Sequence, residues 1–154
     1  MKILVVSDTH GHTDRLKKAI DASLPFDMLL HCGDGIKDIG SVDIPEGITV
    51  AAVRGNTDMF SYCDSGELII ENILDRRVAI THGHRFNVKA GTSYLVAGTA
   101  GSGVYAVIFG HTHVKQFVPG APVLFNPGAL SENSYGLITA SEGAEWLFEH
   151  RVLA

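Results

Sequence analysis

The chain has little cysteine, few basic residues and no long apolar run, and each shortage removes a class of protein. Its two cysteines, Cys32 and Cys63, lie far apart in 154 residues and in no Cys-x-x-Cys pair, so they read as reduced thiols rather than a disulfide framework. Cys32 reads as a filler of core space. No window approaches twenty apolar residues, and "MKILVVSDTH" offers one Lys and five apolar residues before Ser7, too short for a signal-peptide core or a membrane span. A soluble cytoplasmic protein is the expectation. Lys and Arg total 12 against 17 Asp and Glu, a net charge of −5, which speaks against a broad basic face gripping duplex nucleic acid or an anionic membrane. A small phosphorylated substrate held by other groups stays open. Low-complexity tracts, charge runs, internal repeats and linker-like stretches are also missing, so residues 1–154 read as one ordered domain.

What is present is a set of short apolar runs: "ILVVS" (3–7), "DMLLHC" (27–32), "ITVAAVR" (48–54), "RVAITH" (77–82) and "YAVIFG" (105–110). They are rich in β-branched residues and lack clean alternation, as strands buried on both faces do. Between the first two, "TDRLKKAIDAS" puts Leu16, Ala19 and Ile20 on one helical face, with Thr13 or Asp14 as N-cap, which makes a βαβ opening. A second, glycine-rich helix is expected around Ala90 to Ala100. Later, "QFVPGAPVLFN" and "SYGLITASEGAEWLFEH" read as strand–turn–strand units turning at Pro119-Gly120 and Glu142-Gly143. An α/β front followed by hairpins implies two packed sheets with helices outside.

The side chains able to bind metal collect just after these strands. Asp8 and His10 come in "SDTHGH", Asp34 in "CGDG", Asn56 in "RGNTD", His82 and His84 in "THGH", and His111 and His113 in "FGHTH". Ligands of open α/β sheets bind beyond the carboxyl ends of the strands, where these groups would converge. In extended chain, residues i and i+2 point the same way, so Asp8 with His10, and His111 with His113, would each aim two groups at one region. The glycines before the ligands allow sharp turns and close approach. A lone HxH, DxH or GD is commonplace; five such pieces, each after a buried-type strand, point to a metal site. Two carboxylates, one amide and four imidazoles are too many for one zinc ion but fit two ions about 3.5–4 Å apart, with one carboxylate shared. Mixed oxygen and nitrogen ligation without thiolate suits manganese first, then nickel, zinc or iron, better than magnesium or calcium.

These blocks, "DTH", "GD", "GN", "HGH", "GHTH" and then "NPGA", resemble the calcineurin-like metallophosphoesterases, in the small YfcE-type bacterial and archaeal phosphodiesterase subgroup, from Asp8 to Gly128. The resemblance implies a four-layer α/β/β/α sandwich of two packed mixed sheets flanked by helices, with a binuclear centre of two divalent transition-metal ions. It places Asp8, His10 and His113 on one ion, Asn56, His82 and His111 on the other, and Asp34 between them. A hydroxide bridging the ions would attack the phosphorus of a small phosphoester. Where many members carry a histidine after the asparagine, and the subgroup commonly a cysteine, this chain has Thr57, a poor general acid. His84 is the candidate substitute; with Asn56 and with Asp58, at the family's acidic position, it completes the candidate catalytic set.

The other polar residues have plain readings. His31 reads as a core or supporting histidine, His12 as a rim residue, His150 as structural and Asn126 as scaffold beneath the cleft. Arg54 and Arg85 could bind phosphate or form salt bridges, and Phe60 and Tyr62 could wall the pocket or pack loop on sheet. The rival reading is a non-catalytic scaffold, since the fold also resembles the retromer subunit Vps29. The hydrophobic hairpins suggest a homodimer.

Overall fold

A computed structural model describes residues 1–58 and 65–154 of the chain. The first apolar run forms strand β1 (Lys2–Val6), whose alternate side chains enter two different apolar layers. Ile3 and Val5 join the cluster between the two sheets, while Leu4 and Val6 pack with Leu16, Ala19 and Ile20 of helix α1 (Thr13–Ser23). Strands β2 (Met28–His31) and β3 (Thr49–Ala52) continue in parallel from β1, in register Val6 to His31 to Ala52.

Strands β4 (Leu68–Ile73) and β5 (Arg76–Thr81) open the second sheet as an antiparallel pair. Helix α2 (Ser93–Thr99), β6 (Ala106–Ile108), β7 (Gln116–Val118), β8 (Val123–Asn126), β9 (Ser134–Thr139) and β10 (Leu147–Val152) complete the order. One sheet runs β10-β9-β1-β2-β3 and the other β4-β5-β6-β8-β7, both five-stranded and mixed. In the second, β5, β6 and β8 are parallel. The outer face of that sheet, through Ala79, Val107, Phe109 and Leu124, packs on Leu95 of α2 and Val88 of a 3-10 turn. The layers are therefore α/β/β/α, as the motifs imply. Each wholly buried Leu, Ile or Phe in the apolar layers contributes roughly 1.5–3 kcal/mol. Among the described residues no helix is long and apolar enough to cross a membrane.

Four expectations change. β3 is an edge strand with Thr49 and Val50 exposed, not buried on both faces. The hairpin strand β4 was not among the sequence-derived strands; its half-exposed face lacks their continuous apolar signature. α2 is shorter than 90–100, because Gly91, at φ 137°, breaks the chain between Val88–Ala90 and the helix. The N-cap of α1 is His12 with no side-chain cap bond, rather than Thr13 or Asp14; the chain enters through Gly11 at φ 84°, leaving Asp14 in the first turn beside the positive end of the helix dipole.

Candidate metal centre

The parallel strands of both sheets end at one edge. Asp8 and His10 follow β1, Asp34 follows β2, Asn56 follows β3, His82 and His84 follow β5, and His111 and His113 follow β6. The chain there is not extended, contrary to the reading by i and i+2. Asp8 (φ 54°), His10 (44°), Asp34 (57°), His111 (70°) and His113 (62°) all adopt the left-handed conformation, which costs a non-glycine residue free energy and persists where surrounding bonds fix it. Here those bonds are visible: the Asp8 N–H donates to the Gly33 carbonyl at 2.9 Å, the His10 N–H to that of Asp34 at 3.1 Å and the His111 N–H to Asp8 Oδ2 at 3.1 Å. The His111–His113 pair consequently divides between two groups, while Asp8 and His10 stay together as the spacing implied. Asp8, His10 and His113 form one group whose ligand atoms lie within 4.8 Å of one another, and Asp34, His82 and His111 form a second on the same criterion.

Two glycines make this approach possible. A Cβ on Gly110 would overlap the Ser7 hydroxyl and lie 2.9 Å from Asp8 Oδ2, while one on Gly55 would overlap Asp34 Oδ1.

The donor set is built for cations. Asp8 Oδ2 accepts from the Ser7 hydroxyl at 2.5 Å, but Asp8 Oδ1 is buried without a hydrogen bond of its own. Facing it are Nε2 of His113 at 3.1 Å, of His10 at 3.5 Å and of His82 at 3.9 Å. Asp34 Oδ2 likewise meets Nε2 of His82 at 3.2 Å and of His10 at 3.9 Å, one histidine from each group. His82 Nδ1 donates to the Cys32 carbonyl at 2.7 Å, which turns its Nε2 toward the Asp34 carboxylate and toward His111 Nδ1 at 3.1 Å. A ring nitrogen facing a carboxylate at that range needs a proton or a metal ion between them, so each of the two groups is able to hold a cation.

The titration tendencies agree. Burial opposes ionisation of Asp34, yet hydrogen bonds from His82 and the Thr57 amide hold its carboxyl well below the usual range. Burial also works against charge on His82, and the Asp34 and Asp8 carboxylates more than offset it, raising its pKa. His111 is lowered by burial and then by His82 and Lys89.

Several supporting residues were hidden in the sequence. Glu132, in a 3-10 turn (Leu130–Glu132), lies 3.1 Å from His113 Nδ1, which leaves Nε2 for the ligand group. Thr9 donates to Asp38 Oδ2 at 2.6 Å and accepts from buried His31 Nε2 at 3.2 Å, behind the Asp8–His10 turn. Burial lowers the His31 pKa to about 4, so this ring is neutral and supports the turn. Asn126, wholly buried, donates to the Gly110 carbonyl at 3.1 Å and the Thr112 hydroxyl at 3.0 Å, bracing the loop that carries both histidines. Thr112 is thus an anchor as well as a spacer. His150 Nε2 donates to the Asn126 carbonyl at 2.7 Å, away from the ligand groups, and burial pushes the Cys32 thiol up within the central core.

The remaining candidates divide. The His84 ring lies 5.5 Å from that of His82 and 6.2 Å from that of His111, bordering the second group, with Nε2 3.7 Å from Glu67 Oε1. Burial, then His82, lowers its pKa. Asn56 is exposed at the head of a 3-10 turn (Asn56–Asp58). Asp58, grouped by sequence with the catalytic candidates, is instead turned inward: its oxygens accept the backbone N–H of Asp34, Gly35, Ile36 and Gly55, at 2.7, 2.9, 3.2 and 2.8 Å. Arg85 is paired with Glu67 at 2.8 Å rather than free for phosphate. Phe60 and Tyr62 lie outside the described residues.

The sequence pattern of the calcineurin-like phosphoesterase superfamily domain matches residues 1–142. The phosphodiesterase MJ0936 of Methanocaldococcus jannaschii is 32% identical over 150 residues, covering 83% of each chain. Among solved structures, YfcE, a phosphoesterase from E. coli, superposes with a TM-score of 0.62 at 20% identity over 100% of both chains. A Vps29 single mutant from Entamoeba histolytica superposes at 0.74, with 18% identity and the same full coverage.

Proposed function

The chain belongs to the calcineurin-like phosphoesterase superfamily, and from that premise we propose that it is a metal-dependent phosphodiesterase hydrolysing small phosphodiesters at a binuclear centre. The observation that carries this reading is the buried Asp8 Oδ1, unbonded among the described residues and surrounded by three imidazole nitrogens, beside Asp34 Oδ2, which faces one histidine of each group. Asp8, His10 and His113 would hold one divalent ion and Asn56, His82 and His111 the other, with Asp34 serving both; manganese is the first choice, with nickel, zinc and iron also suited to the donors. When bound, the ions would supply a hydroxide nucleophile at neutral pH and neutralise charge growing on the phosphoryl oxygens.

The protein's own residues do the rest. Without cations, Asp8 and Asp34 would repel a phosphate anion, and Arg85 is committed to Glu67, so anion binding is conditional on a loaded site. Asp34 stays ionised across the physiological range because His82 and the Thr57 amide stabilise its charge. His84 borders the second group, where its ring orients the scissile phosphate or its leaving oxygen in place of the helper that Thr57 cannot provide. Asp58 acts through Asp34 as a positioning residue.

A second reading, a Vps29-like scaffold that binds proteins without catalysis, is favoured by Thr57 alone; the complete ligand set weighs against it. The test is to purify the protein, count bound metal, and assay bis-p-nitrophenyl phosphate against the monoester with manganese or nickel. Two ions per chain and preferential diester turnover are expected. Asp34→Ala should lower kcat/KM by about a thousandfold, the several kcal/mol of lost charge stabilisation. His84→Ala should lower it by roughly a hundredfold, as for loss of a proton-handling group. No metal and no turnover with any divalent ion would establish the scaffold instead.

A further inference from the structure

A second feature opens beside the centre. A cleft of about 650 Å³ lies between the 3-10 turn His84–Phe86 and helix α2, lined by Arg85, Phe86, Asn87, Tyr94, Ala97 and Gly98. Its lining residues Arg85 and Phe86 share that turn with His84, whose ring lies 6.2 Å from that of His111, and Lys89 is near enough to influence His111.

Its lining has a definite chemistry. Tyr94 is 68% exposed, the most exposed large hydrophobic side chain among the described residues. The Phe86 ring lies against the backbone of Gly98, where a Cβ would overlap ring atom Cε1, so a glycine in α2 fixes that wall. The Arg85 guanidinium is held edge-on by Glu67, at 2.8 and 3.3 Å, which leaves its flat faces for stacking. Asn87 is exposed and carries both a donor and an acceptor. Among the described residues no carboxylate lines the cleft to select a cationic headgroup, and two aromatic rings are more than a glycerol moiety would use.

We infer that this cleft is the subsite for the nucleoside part of the substrate, and that the enzyme acts on small nucleoside phosphodiesters. A nucleobase is flat and neutral, stacks on Tyr94 and Phe86, and exchanges hydrogen bonds with an Asn amide, while its sugar places the phosphate toward His84 and the ligand groups. The inference rests on the phosphodiesterase reading for its reaction but not for its binding.

Calorimetric titration of the zinc-loaded full chain tests it, with thymidine 5′-monophosphate and ribose 5-phosphate as probes. The nucleotide should bind roughly tenfold more tightly, the worth of one base–aromatic stack. Tyr94→Ala should bring that ratio close to one, and so should Ala97→Leu, which fills the cleft from the helix and serves if Tyr94→Ala does not fold. Equal affinities in the unmodified protein, or a preference that survives both substitutions, would overturn the subsite. A nucleotide preference without diester turnover under any divalent ion would keep the subsite and remove the hydrolase reading; diester turnover with equal affinities would do the reverse.

Discussion

Asp58 shows how much of the centre is decided by a side chain that touches no ligand. A carboxylate bonded to four backbone amides is held more strongly than by neutral partners, and here the bonds tie the loop after β2 to the turn after β3. Removing it leaves buried amides without acceptors, each costing about 1–3 kcal/mol. Asp58→Ala should therefore destabilise the fold by roughly 3–5 kcal/mol in thermal or denaturant unfolding. It should also weaken the metal group of Asp34, His82 and His111 by about 10–100-fold in a metal titration, as loss of a ligand's supporting partner does. Unchanged melting and unchanged affinity would show that the carboxylate organises nothing. Its place after Asn56 was legible; its direction was not. The Asn56–Asp58 turn sends Asp58 inward, and the positive φ of His111 and His113 divides that spaced pair between two groups, while Asp8 and His10 stay in one. Ligand identity is a matter of residue type and strand ends, whereas side-chain direction depends on backbone bonds from other parts of the chain.

At the scale of elements, the strands that precede the candidate ligands were legible: β1, β2, β5 and β6 because burial leaves a continuous apolar run, and β3 by its β-branched composition although its edge is exposed. β4 escaped for the opposite reason: as an edge strand it shows half-buried polar positions, and its turn passes through Leu74 at φ 53° without a glycine or asparagine to mark it. The site depends most on the crossing of β1 and β6 at their ends, where Gly110 meets Ser7 and Asp8. Gly110 has no positive φ, so the constraint is space rather than backbone conformation. Gly110→Ala should push the two strand ends apart, costing about 1–3 kcal/mol of stability as overpacking does. Binding of the first ion should fall at least tenfold, as when a ligand's support is lost. Gly40→Ala, where a Cβ meets nothing within 4 Å, is the control and should change melting by less than about 0.5 kcal/mol. Equal effects of the two substitutions would remove close approach as the reason for glycine at 110.

Across the whole molecule, each ligand group draws on both sheets. Asp8 and His10 come from the β1 edge and His113 from the β6 edge; Asp34 comes from β2, and His82 and His111 from β5 and β6. The apolar layer between the sheets joins them face to face, but at the edge where the parallel strands end it gives way to carboxylates and imidazoles. Ions bound there would tie one sheet to the other across the edge that the core does not close. Because those ligands come together in the folded chain and not in the unfolded one, metal binding adds to folding stability, about 2.7 kcal/mol per ion at a hundred times its Kd. For a chain of this size that is roughly 5–10 °C of Tm per ion. Stripping the protein with a chelator should lower Tm by this amount for each ion removed, and readdition of manganese should restore it. Amide exchange should speed up first at the chain just beyond β1, β2, β5 and β6, while the centre of β1 stays protected. In Asp34→Ala, which removes the carboxylate proposed to serve both ions, readdition should restore little of the lost Tm. If chelation leaves both Tm and exchange at the strand ends unchanged, the two sheets are held at that edge by the protein alone.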